Sequence, residues 1–375
     1  MKMNAVGVAA SRFVRELFIL GAATALFTVA TAPRLAHGQL APEIGYSLPA
    51  GGSAGTTFEM TIGGYDWTPD MQLFAHDPRV KIELIGQPSR VLVPEPPYWF
   101  GAKARGPAWP LAREFRAKVT IPADVKPGLV KWQAANANGA SPAGWLHVST
   151  LPEFVEDPKA SGPQPLPTLP LVVSGQIRKI EEVDRFVVKV PAAGPVTLRL
   201  LARQLGSPLH GILRVHDAEG RVVVDVADAE GRDFDVTFAA AANSPYTVSL
   251  HDLDFAGDRS YFYRLEFHQG PRVTAAYPAT GKRGETRSVE FVGWGVATGA
   301  AKLESIVRDV AFPADSTLDS FEFGLTTPHG RAPDFRLGLS DVADEVAPPG
   351  AEKHALPRVP VAITGALETR FGADT

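Results

Sequence analysis

Three clusters in this 375-residue chain carry side chains whose types and spacing could do chemistry. The first is Asp252, Asp254 and Asp258 in the stretch HDLDFAGDRS, hard oxygen donors close enough together to hold Ca²⁺. Calcium takes about six to eight oxygens and the spacing is not that of an EF-hand loop, so a solvated acidic loop is the competing reading. The second is Tyr98, Trp99, Phe100 and Trp109, interleaved with Lys103, Arg105 and Arg113. Exposed rings among cations can stack on sugars or anchor a protein partner; the alternative is that they cover the end of a sandwich. The third is Gly51-Gly52-Ser53-Ala54-Gly55, which spells the G-x-S-x-G string of a nucleophile elbow. That chemistry needs the serine on a strained strand-to-helix turn beside a base and an oxyanion hole. Here the string leads into a strand pattern, and a later echo of the segment has Lys282 in the serine's place, so a glycine turn is the better reading. Gly293, Gly295 and Gly299 miss the dinucleotide-loop spacing by one and lack a surrounding βαβ pattern. The nine histidines show no paired zinc-ligand spacing. His216 and His251 precede Asp217 and Asp252, but neighbours on a strand point to opposite faces. No catalytic constellation emerges, and no cofactor is implied beyond calcium at the aspartate loop.

The elements that must position these residues are strands. Gly 35 and Pro 33 are high for this length, and helix-type periodic runs are scarce. Cys 0 removes disulfide staples, thiolate chemistry and cysteine-ligated zinc. The N-terminus carries Lys2, Arg12 and Arg15, then the apolar run Leu17 to Thr31, then Ala36-His37-Gly38, the layout of a secretory signal cleaved after Gly38. The run is shorter than the roughly 20 residues of a spanning helix, so no membrane span is expected once the signal is removed. Export to the periplasm, cell surface or medium follows. Residues 1–38 carry a net +3 against −4 for the whole, which leaves about −7 on the exported part. An acidic chain without a basic cluster is a poor nucleic-acid binder.

The chain also repeats itself. LPTLPLVVSGQIRKIEEVD from Leu166 returns as LPRVPVAITGALETRFGAD from Leu356, with Leu, Pro, Pro, Gly and Asp recurring at a constant offset of 190. APEIGYSLPAGGSAGTTFEMTIGG from Ala41 returns as PRVTAAYPATGKRGETRSVEFVG from Pro271, with Pro42 matched to Pro271 at an offset of 229. IPAD at Ile121 and WLHVS at Trp145 return as FPAD and RLGLS at an offset of 191, so the first copy is longer by 38 residues. The excess is placed around the 90–115 stretch and is expected to form a surface loop. Between the copies, Val155 to Pro170 reads as a proline-rich linker. Alternation in PVTLRLLA, YTVSLHD and YFYRLEF predicts strands, and GILRVHDAEGRVVVDV a hairpin.

PAGGSAGTTFEMTIGG resembles the opening of the immunoglobulin-like IPT/TIG modules found in large planctomycete secreted proteins. VSGQI, DRFVVKV, VHDAEGRVV and SPYTVSLHDLDFAGDRSYFYRLEF resemble the bacterial pre-peptidase C-terminal (PPC) domain, a jelly-roll-like sandwich. Relatives enter that domain through an acidic linker that can bind calcium; Glu156-Asp157-Pro158-Lys159 departs from the usual Glu-Pro-Asn type. The expectation is therefore an all-β chain of tandem β-sandwiches, immunoglobulin-like, then jelly-roll-like, then immunoglobulin-like. The segments are a signal peptide at 1–38, a first sandwich at 39–152 with its 90–115 insert, a linker at 153–169, a PPC-like sandwich at 170–269, a second immunoglobulin-like sandwich at 270–345, and at 346–375 a linker and the first strand of a further, incomplete sandwich. The expected role is a non-catalytic binding or spacer protein of the bacterial envelope or surface, recognising an unknown surface glycan or protein. The alternative is the accessory N-terminal region of a larger secreted peptidase or other hydrolase.

Overall fold

A computed structural model describes residues 40–68, 70–90, 113–228, 230–315, 317–347 and 359–365. The described residues fold as strands joined by turns, with a single 3-10 turn at Arg203–Leu205, in keeping with the turn-rich composition. Among them no helix is long and apolar enough to cross a membrane.

The first nine strands are β1 (Glu43–Leu48), β2 (Gly51–Ser53), β3 (Thr56–Tyr65), β4 (Gln72–Ala75), β5 (Lys81–Arg90), β6 (Arg113–Ile121), β7 (Gly128–Asn136), β8 (Gly139–Ala140) and β9 (Gly144–Ser149). They form two sheets, β1-β3-β6-β5 and β2-β9-β7-β4, with β8 hung on β7. Met60, Ile62, Phe115, Val119, Trp132, Leu146 and Val148 fill the space between them. Trp67 stacks on Phe115 at 4.4 Å and donates its indole N–H to the Glu43 carbonyl. Gly51 must be glycine, because a Cβ there would lie 2.0 Å from the His147 carbonyl oxygen across the parallel β2–β9 pair.

The next ten are β10 (Glu153–Val155), β11 (Gln164–Pro165), β12 (Leu171–Gln176), β13 (Asp184–Val190), β14 (Gly194–Leu201), β15 (Gly211–His216), β16 (Val222–Ala227), β17 (Phe234–Ala240), β18 (Ser244–Asp252) and β19 (Phe262–Gln269). Their sheets, β10-β12-β19-β14-β17 and β11-β13-β18-β15-β16, enclose the largest core, with Phe186, Val188, Leu198, Leu250, Tyr263 and Phe267 at its centre. The proline-rich stretch is not a free linker. β10 adds in parallel to β12 and β11 in parallel to β13, while Phe154 and Leu166 pack on the core. Extended, proline-biased backbone suits an edge strand, where a missing N–H costs no ladder bond.

The third set is β20 (Arg272–Tyr277), β21 (Thr280–Lys282), β22 (Thr286–Trp294), β23 (Leu303–Ala311), β24 (Ser320–Phe323), β25 (Thr326–Thr327), β26 (Gly330–Arg331) and β27 (Phe335–Ser340). Sheets β20-β22-β23 and β21-β27-β24 face each other across Val289, Phe291, Val310, Phe312 and Leu337. The repeat offsets map β3 onto β22, β6 onto β23, β7 onto β24 and β9 onto β27. β4 and β5 have no counterpart among the described residues. The 38-residue excess of the first copy is thus more than the surface loop expected at 90–115: it supplies an edge strand to each of the two sheets. Finally β28 (Asp344–Val346) pairs in parallel with β29 (Ala362–Thr364), as β10 does with β12.

Candidate functional site

Tyr98, Trp99, Phe100, Lys103, Arg105 and Trp109 lie outside the described residues, so only the roots of their connection can be placed. β5 and β6 pair antiparallel up to Arg90 opposite Arg113. The next residue, Glu114, accepts hydrogen bonds from the Tyr46 hydroxyl and the Arg259 guanidinium. The connection therefore springs from the edge where the first sandwich meets the second.

Asp252 and Asp258 are taken up by their own loop. Asp252 is buried; its Oδ1 accepts the His210 N–H at 3.0 Å, and its Oδ2 accepts those of Asp254 and Ala256 at 3.0 and 3.2 Å. Asp258 Oδ1 accepts from the Ser260 N–H and hydroxyl, both at 2.6 Å. Among the described residues no group of three acidic or histidine side chains converges to hold a metal. Around Asp252 and Asp258, backbone N–H groups of a tight loop compete for the oxygens a cation would need. Ser53 sits on a strand and gives its hydroxyl to the Leu151 carbonyl, away from any elbow geometry. His251 Nδ1 meets the Asp252 carbonyl at 2.8 Å rather than its carboxylate.

What sequence reasoning missed is the polar joint between the first two sandwiches. Its apolar plug is Tyr46 and Ala50 from the first and Leu201, Leu205 and Phe262 from the second, with Trp145 against it. Tyr46, Glu114 and Arg259 close one side. On another, His147 of β9 stands 3.6 Å from Glu266 of β19, which also meets His268 at 3.2 Å and Arg199 at 3.8 Å. Burial drives the His147 pKa down to about 4 despite the facing carboxylate, so the ring is neutral near pH 7. Burial opposes the Glu266 charge, but the His268 hydrogen bond and the nearby His147 and Arg199 outweigh it and hold Glu266 down to about 2. Beneath lies Arg264, fully buried, forked onto Glu153 of β10 at 2.8 and 3.0 Å and onto the Ser174 hydroxyl at 3.0 Å. A planar guanidinium matched to a carboxylate in this way fixes direction as well as distance.

A second cluster sits one step along the same strands. Asp184 accepts the Tyr263 hydroxyl at 2.7 Å, and Glu156 accepts the Gln176 N–H at 2.9 Å. Burial, and then the charge of Glu182, pushes Glu156 up to about 7, while burial and the charge of Glu156 push Asp184 up to about 9. The pair holds a proton at neutral pH. A Cβ on Gly175 would fall 2.3 Å from the Tyr263 hydroxyl and 2.7 Å from Glu156 Oε2, which is why VSGQI carries a glycine. A signal was available: Gly175 and Asp184 are two of the residues that recur at the offset of 190.

No protein-family model matches the sequence, and no curated protein sequence does. Among solved structures, the PPC domain of a collagenase from Bacillus anthracis overlays at TM-score 0.23 with 12% identity, over 30% of this chain and 98% of that one. The secreted serine protease VesC of Vibrio cholerae overlays at TM-score 0.21 with 10% identity, over 58% of this chain and 48% of that one. A Bacteroides ovatus mixed-linkage glucan utilisation protein, SGBP-B, solved with a mixed-linkage heptasaccharide, overlays at TM-score 0.18 with 9% identity, over 62% and 77%. These overlaps are shallow, and the architecture above rests on the strands and cores themselves.

Proposed function

We propose that the chain is an exported, non-catalytic binding and spacing protein of the bacterial envelope or surface, built from IPT/TIG-like and PPC-like modules, and that it recognises a glycan or protein through the 90–115 connection. The observation that supports this most is where the buried charge goes. Tyr46, Glu114, Arg259, His147 and Glu266 are spent on locking one sandwich to the next, and Arg264 with Glu153 braces the second sandwich beneath that joint. A lock of this kind presents the β5–β6 connection from a stiff base. Binding groups carried on a rigid scaffold lose less entropy when they engage a ligand. The leader of residues 1–38 supports export, and β28–β29, laid out like β10–β12, supports an alternating array.

The test is a glycan array probed with the exported chain and with Trp99→Ala and Trp109→Ala. Loss of at least one stacking ring should weaken a positive signal about tenfold or more, equivalent to about 1.4 kcal/mol. Equal signals from all three proteins would remove the connection as the binding element.

A further inference from the structure

Among the described residues, the third sandwich has no strand matching the one that closes the corresponding edge of the first. In the first, β5 lies along the outer side of β6, pairing Ile82 with Val119 and Leu84 with Ala117, and it sends Ile82 and Leu84 into the core. In the third, β23 is the last strand of its sheet, and among the described residues nothing pairs with its outer side. Its free groups can be assigned. Phe312 N–H donates to the Glu285 carbonyl and Gly295 N–H to the Lys302 carbonyl, so the even-numbered residues of β23 bond toward β22. Leu303, Ser305, Val307, Asp309 and Ala311 then direct their N–H and C=O groups outward. In agreement, the Val307 carbonyl is met by the exposed Arg308 guanidinium instead of by β22.

Protein edges of this kind are usually guarded by proline, charged side chains, a bulge or shortness. β23 has nine residues, LESIVRDVA, with no proline and a continuous register on β22, and its charges are limited to Glu304, Arg308 and Asp309. Its outward face shows Leu303 and Val307, each more than half exposed. We infer that β23 is the seat of a second copy of this chain, which pairs antiparallel with its own β23 about a twofold axis through Val307. That register sets Val307 against Val307, Leu303 against Ala311 and Ser305 against Asp309 on the outer face. On the core side it sets Ile306 against Arg308 and Glu304 against Val310. No charge faces a like charge, and Asp309 faces a hydroxyl. The outward residues are the ones this register needs as hydrogen-bonded pairs. The two three-stranded sheets become one of six, and Arg308 has only to swing off the carbonyl it covers. A twofold assembly is self-limiting, because each copy's β23 edge is consumed by the other's.

The experiment is sedimentation velocity on a dilution series of the exported chain, with three variants. Wild type is expected to show a concentration-dependent dimer. Val307→Pro removes an outward N–H while sparing the β22 ladder, and should weaken dimerisation about tenfold or more, about 1.4 kcal/mol, with thermal unfolding unchanged. Val307→Lys, which adds a charge against its own copy, should do the same if the proline variant folds poorly. The chain has no cysteine, so Val307→Cys gives one thiol, expected to form a disulfide-linked dimer under mild oxidation. Val222→Cys, equally exposed on the edge strand β16, should not. A monomer at every concentration, a dimer indifferent to both Val307→Pro and Val307→Lys, or equal cross-linking through Val222→Cys overturns the inference. So does a monomeric chain that captures a different polypeptide at β23.

Discussion

Asp184, Glu156 and His147 titrate in opposite senses, and the signs can be worked out. Asp184 and Glu156 have folded pKa values raised to about 9 and about 7, above those of the unfolded chain. Between the unfolded and folded values the native state holds protons the unfolded state has lost, so stability falls as pH rises through that window. His147, lowered to about 4, behaves the other way: the unfolded ring takes a proton below about 6.5 that the buried ring refuses, so stability falls as pH drops from about 6.5 to about 4. Above pH 7 only the carboxyl pair acts. The melting temperature should therefore decline from pH 7 to pH 9, and Asp184→Asn, which keeps an acceptor for Tyr263, should flatten that slope. A slope unchanged in the variant would show that the pair does not hold its proton. These residues were half legible. Gly175 and Asp184 recur in the sequence, but a carboxyl pair assembled from β13 and the segment after β10 leaves no local spacing to read. The aspartate loop is the reverse case: Asp252, Asp254 and Asp258 are close in sequence, yet Asp252 and Asp258 spend oxygens on loop N–H groups and a hydroxyl, which spacing alone does not show.

At the scale of elements, strand alternation was easy to read and strand addition was not. β14, β18 and β19 were predicted from period-two patterning, because each has one face on a core. β10 and β11 carry too few residues for a period, and their proline content points to a linker. What recruits β10 is Glu153, which meets Arg264 of β19 and Ser174 of β12. The same device recurs where Asp344 of β28 accepts from Thr364 of β29 and pairs with Arg287 at 2.9 Å. Arg264 is fully buried and Glu153 partly so, and removing the guanidinium strands the carboxylate's charge, so Arg264→Met should cost about 3 kcal/mol in denaturant unfolding. Adding Glu153→Gln should recover part of that loss. A cost below about 1 kcal/mol for the single variant would mean that surface-like screening reaches the pair.

For the molecule as a whole, the first two sandwiches meet at a buried histidine that acid would force to take a charge. Glu266 keeps its negative charge down to about 2, but protonation of the His147 ring, which burial opposes, sets in well before that. Small-angle scattering should report one compact arrangement of the exported chain at pH 7 and a more extended one near pH 4. His147→Gln, which has no ring to protonate, should delay the change; identical curves for both proteins would clear His147 of the role. The plug of Tyr46, Ala50, Leu201, Leu205 and Phe262 carries a further consequence. The first sandwich released alone would turn Tyr46, Ala50 and Trp145 toward water, and the second would bare Leu205 and Phe262. Neither half is a clean building block: duplication or laboratory grafting that cuts at the seam yields two sticky fragments, whereas a cut after the second sandwich carries the seam along whole. The heritable unit is the couple.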